Sequence, residues 1–94
     1  MLFERIRIMT STSALTVVYN GLLQGYQFQM EAMKENGMPG SSFHFRSEKM
    51  RESLTNQIGS LSQMAYDLGD HDLASTLLSM ATEFGSDAVP PMPL

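Results

Sequence analysis

Residues 47–69, SEKMRESLTNQIGSLSQMAYDLG, carry the most regular pattern in the chain. Apolar side chains recur at Met50, Leu54, Ile58, Leu61, Ala65 and Leu68, and this spacing draws one stripe along one side of an α-helix. Ser47 offers an N-cap hydroxyl, Glu48 suits the positive first turn, and Gly69 supplies a left-handed stop. Gly59 falls inside this helix, where it costs about 1 kcal/mol relative to alanine, so the sequence marks it as a place where another backbone comes close.

A second helix is expected directly afterwards. Asp70 can cap it, Asp72 lies in its first turn, and Leu73, Leu77, Met80 or Ala81, and Phe84 form its apolar stripe before Gly85 ends it. So short a connection at Gly69-Asp70 predicts an antiparallel αα-hairpin whose stripes bury one another. Leu61, Gly69, Asp70, Ala74 and Ala81 occupy the places where one tetratricopeptide repeat has its leucine, turn glycine, acid and small packing residues. The resemblance spans about 21 residues, and the family's remaining glycine and aromatic positions hold Ser62 and Ala65. What it implies is the geometry of a helical hairpin, with no stack of repeats around it.

Two readings compete upstream. Tyr19, Leu23, Tyr26, Met30 and Met33 keep helical spacing, and Gly37-Met38-Pro39 reads as a helix C-terminus, which predicts one long helix over about 13–36. Against it stand the β-branched Thr16, Val17 and Val18 and the turn dipeptide Asn20-Gly21, which would make 14–19 a strand. The helix is preferred, because the second strand of such a hairpin would overlap the segment that Gly37 terminates. In the first residues Leu2, Glu4, Ile6 and Ile8 alternate with Phe3, Arg5 and Arg7, which reads as an extended arm able to clasp a neighbouring subunit. The expected fold class is therefore mostly α: a helical hairpin or small three-helix bundle with a short N-terminal extended arm, the alternative being α+β with an N-terminal β-hairpin. Residues 1–86 form one domain with the arm at 1–10, and 87–94 form a proline-rich tail, expected to be extended and frayed.

Composition narrows function by exclusion. The chain has 94 residues, 43% hydrophobic and 17% charged, a size that buries only about 60–65% of the unfolded surface and favours a homo-oligomer. It contains no cysteine, hence no disulfide, thiolate nucleophile or cysteine zinc site. Glu4, Arg5 and Arg7 interrupt any secretory signal, so a cytoplasmic location is expected. Residues 8–30 carry no charge but hold too many Thr, Ser, Asn and Gln for a membrane span. All six basic residues lie at or before Arg51, and everything after it is acidic or neutral. That negative half disfavours duplex DNA and attracts a basic partner.

No nucleophile elbow or phosphate-binding glycine loop is present. Asp67 and His71 stand four apart and could share a cation if one helix carried both, but the Gly69 turn separates them, and acids around a helix start have a simpler role on the macrodipole. Neither an enzyme nor a cofactor is expected. The segment 43–51 gathers Phe43, His44, Phe45, Arg46 and Lys49, which as a loop before a helix at Ser47 would stack a base and hold the phosphate of a nucleotide. Nine methionines are the strongest compositional oddity, and Met30, Met33 and Met38 gather with Tyr19, Leu23 and Tyr26 into a candidate adaptable patch. The expectation from sequence is a small non-enzymatic interaction or regulatory protein that self-associates and masks a protein partner through that patch and an acidic C-terminal face. Binding of a small anionic ligand by the 43–51 loop is the alternative.

Overall fold

A computed structural model describes the backbone of residues 2–87 and 90–94 and the side chains of residues 13–86 and 90–94. Three helices follow one another: α1 (Leu2–Glu35), α2 (Gly40–Asp67) and α3 (His71–Asp87). No strand occurs among the described residues, so the mostly α class holds and 14–19 is helix. The β-branched run there is overridden by the stripe through Tyr19 and Leu23, which packs onto the other helices.

Both chain reversals use the same device. Gly37, at φ 66°, lets Met38 N–H reach the Met33 carbonyl at 3.3 Å and its own N–H reach that of Lys34 at 3.2 Å. Gly69, at φ 89°, repeats the pattern, with Asp70 N–H on the Ala65 carbonyl at 2.9 Å and Gly69 N–H on that of Tyr66 at 3.0 Å. Each is a Schellman closure, and a left-handed residue is what it requires. Asp70 then caps α3 as expected, its carboxylate accepting the Leu73 N–H at 3.1 Å.

The core is continuous across all three helices: Tyr19 and Leu23 from α1, Leu54, Ile58, Leu61 and Ala65 from α2, and Ala74, Leu77, Ala81 and Phe84 from α3. Tyr26 meets Phe84 edge to face, ring centres 5.4 Å apart, which ties α1 to the far end of α3. At 34 residues, about 51 Å at the usual rise, α1 is twice the length of the 17-residue α3.

Several boundaries differ from the sequence reading. Residues 2–10, expected as an extended arm, lie within α1, whose backbone is helical from Leu2; their side-chain alternation lies outside the described side chains. Helix α2 starts seven residues before Ser47, after Pro39, because Phe43 carries the stripe of Met50 and Leu54 two turns further back. Ser47 is inside that helix and donates its hydroxyl to the His44 carbonyl at 3.0 Å. Helix α3 passes through Gly85, which serves a close approach instead of a stop: a Cβ there would stand 3.2 Å from Thr55 Cγ2. Gly59, expected to mark such an approach, faces open space. Gly21 and Gly25 likewise meet nothing and border a shallow cleft of about 300 Å³ between α1 and α2.

The proline-rich segment is also different from expectation. Pro90–Leu94 is extended but docked, with Pro91 buried. Tyr19 donates its hydroxyl to the Met92 carbonyl at 2.7 Å, and the Asn20 side chain pairs with Leu94 through two hydrogen bonds of 2.9 Å.

These assignments separate two glycines by sign. Gly59→Ala should raise the unfolding free energy by about 1 kcal/mol, because helix propensity improves and nothing is displaced. Gly69→Ala should lower it by about 1 kcal/mol, because the left-handed position penalises a side chain. Urea titration followed by circular dichroism reads both.

Candidate functional site

The outer side of the α2–α3 pair carries a groove with matched helical spacing on its two walls. Gly59, Ser62, Gln63 and Tyr66 line it from α2, and His71, Ala74, Ser75 and Leu78 from α3. Within each helix these positions follow i, i+3, i+4, i+7, which makes one continuous face. Its volume is about 450 Å³. The floor is narrow because its residues are small. Ser62, 7% exposed, donates its hydroxyl to the Ala74 carbonyl at 2.7 Å and so ties the two helices together beneath the groove.

The rim is apolar and uncovered. Tyr66 is 59% exposed and Leu78 57%, far more than side chains of that size show inside a core. Tyr66 stacks on His71 with ring centres 4.8 Å apart and planes 22° from parallel, which closes one end. Acids frame both ends. Asp67 is held by Gln63 Nε2 at 3.0 Å next to the stack, Asp70 and Asp72 flank His71, and Glu83 borders a smaller hollow that shares Leu78. No lysine or arginine occurs between Glu52 and Leu94.

The residues singled out by sequence fall elsewhere. Of the methionine and tyrosine patch, Tyr19, Leu23 and Met33 are buried in the chain's own core, and Tyr26, Met30 and Met38 are half-buried. The helical stripe that drew attention to them is the one α1 uses to pack against its neighbours. Burial raises the ionisation of Tyr19 above the ordinary 10.0. Tyr26 moves the same way, burial dominating over the opposing charges of Arg51 and Glu48.

The 43–51 segment does not form a loop. It is helical, so the N–H groups near Ser47 belong to the helix interior and are not free for a phosphate. Phe45 and Lys49 line an open cleft of about 520 Å³, while Phe43, His44 and Arg46 do not. Glu48 and Glu52 line the same cleft and oppose an anion. Lys49 lies 5.7 Å from the Phe45 ring centre, and Arg51 pairs with Glu48 at 2.6 Å, an exposed contact contributing roughly 0–1 kcal/mol.

Asp67 and His71 end up on different helices, and among the described residues no group of three potential ligands converges on a cation position. No helix among the described residues is long and apolar enough to cross a membrane. The sequence reading missed the groove itself. Its only signal was a second, outward stripe of small residues on each helix, which becomes a surface only when the hairpin register sets the stripes side by side.

The chain was compared with protein-family models, with curated proteins and with solved structures, and none matches it.

The tyrosine environments fix a pH response. A group whose folded ionisation lies above its unfolded value stabilises the fold below the unfolded value and loses that contribution as pH rises. For Tyr19 and Tyr26 the window opens at pH 10.0 and extends upward. The thermal midpoint should fall on passing into it, and Tyr19→Phe, less stable at neutral pH by about 1 kcal/mol through loss of the Met92 bond, should show a smaller alkaline decline.

Proposed function

We propose that this chain is a small non-enzymatic interaction module that self-associates and masks an apolar helix face of a protein partner. The observation that supports this best is the α2–α3 groove, in which Tyr66 and Leu78 stand more than half exposed above a floor of Ser62 and Ala74. Two parallel walls with helical spacing accept a third helix as helices pack on one another, ridge into groove. Acids at both ends select the sign of the partner: an amphipathic helix with an apolar stripe and lysine or arginine on its flanks. The apolar surface of this reading is the groove and no longer the methionine and tyrosine patch expected from sequence.

Gly59 fits the same account. A helix-interior glycine is unfavourable, and its open side borders the groove, where a larger residue would narrow the bed for an incoming helix. Self-association is supported by size, since a domain of this length leaves a large share of its apolar surface uncovered.

The test uses two synthetic amphipathic peptides that share a leucine stripe and differ in carrying lysines or glutamates on the flanks. The lysine peptide should bind at least about tenfold more tightly, its association rate falling with salt while its dissociation rate changes little. Leu78→Ser, at an exposed position, should weaken that binding by about tenfold, near 1.4 kcal/mol, with helicity retained. Equal binding of the two peptides, or an unaltered affinity for the variant, would overturn the reading.

A further inference from the structure

The docked segment shows a second surface, which shares no residue with the lining of the α2–α3 groove. It is built from Tyr19 and Asn20 on α1 with Met80 on α3. The Asn20 side-chain amide gives its N–H to the Leu94 carbonyl and accepts the Leu94 N–H, both at 2.9 Å. That pair reads the backbone of an extended peptide, as a neighbouring strand would. Tyr19 has one hydroxyl proton, and the Met92 carbonyl at 2.7 Å takes it; the Met80 sulphur lies 3.2 Å away on the same hydroxyl. Pro91 supplies the buried side chain. Three prolines within Pro90–Leu94 hold the segment extended beforehand, so little conformational freedom is lost on docking.

We propose that this Tyr19–Asn20 seat is a docking site for an extended proline-containing peptide, and that its occupant in trans is the Pro90–Leu94 segment of a second copy of this chain. The inference rests on the self-association part of the proposed function and gives it a mechanism. Two observations favour a second copy. First, exchange between identical chains recreates every contact of the seated segment, so the hydrogen bonds cancel and concentration governs the balance. Second, the segment docked in its own chain leaves Met92 70% and Leu94 45% exposed, apolar surface outside the seat that is open to an adjoining copy. None of the side chains making these contacts is charged.

The absence of cysteine makes the test direct. A full-length chain carrying Met92→Cys bears a nitroxide on that exposed side chain and keeps the backbone carbonyl that Tyr19 binds. It is mixed in equal amounts with unlabelled-side-chain, nitrogen-15 protein of unaltered sequence at about 1 mM, the range where tethered and free segments compete. The expected result is paramagnetic broadening, about twofold or more in peak height, at the amides of Tyr19, Asn20 and Met80 of the nitrogen-15 chain, and its loss when that chain carries Asn20→Ala. Unchanged peaks at the seat, or broadening that survives Asn20→Ala with the helices intact, would overturn the proposal. Sedimentation of the same samples separates the two levels. Dimers without broadening at the seat refute segment exchange and leave self-association standing, whereas a single-chain mass at every concentration refutes both.

Discussion

Because Gly69 adopts a left-handed conformation, the chain passes from α2 into α3 within three residues, and the two helices have no choice but to run antiparallel in contact. Contact over that length requires small side chains along the seam. Ser62, Ala65, Ala74 and Ala81 provide them, and the Ser62 hydroxyl on the Ala74 carbonyl fixes the register of one helix against the other. At the far end of the pair the helices are again close, and Gly85, the residue facing Thr55, has no side chain at all. The rest of the molecule is arranged around this pair. Its inner side carries Leu54, Ile58, Leu77 and Phe84 toward α1, and its outer side is left as a furrow floored by Ser62 and Ala74 of the same seam. The core seam and the exposed groove are thus two consequences of one close approach.

A second constraint comes from Tyr19. Its ring is fully buried, which is favourable, but its hydroxyl goes with it, and a buried hydroxyl without an acceptor is costly. The extended segment supplies the acceptor, because a polyproline-like backbone keeps its carbonyls unpaired. The fold-back of Pro90–Leu94 therefore answers a need created 73 residues earlier in the chain. Asn20, one residue on, then fixes the direction of the segment by pairing with both backbone groups of Leu94.

Which of these features can be read from sequence depends on their range. The stripes through Leu54, Ile58, Leu61 and Ala65 and through Leu77 and Phe84 are local periodicities and were legible, as were the reversals at Gly37 and Gly69, whose signals lie within a few residues. The start of α2 was not, since a serine at an apparent cap position competes with a stripe that continues back to Phe43, and only tertiary packing decides between them. The seat of the segment was illegible because Tyr19 and Met92 have no shared pattern. The groove was illegible for a different reason. Its walls are ordinary outward faces of two helices, and pairing at the Ser62–Ala74 register is what brings Tyr66 beside His71 and Gly59 toward Leu78.

Charge distribution would give the two proposed surfaces different partners. A symmetric contact between two copies places each patch against itself, so a dimer formed through the α2–α3 groove would set Asp67, Asp70, Asp72 and Glu83 against the same acidic set of the other copy. No lysine or arginine of that half relieves the repulsion. The groove is therefore poorly suited to a second copy and well suited to a helix of opposite charge. At the Tyr19–Asn20 seat the balance reverses. Its contacts are a phenol, an amide, a thioether and backbone, and the specificity proposed for it comes from an extended backbone and one buried proline. A copy of the same chain carries that ligand at an invariant position. With every lysine and arginine at or before Arg51, the proposed self-recognition and the proposed partner recognition would fall on different surfaces.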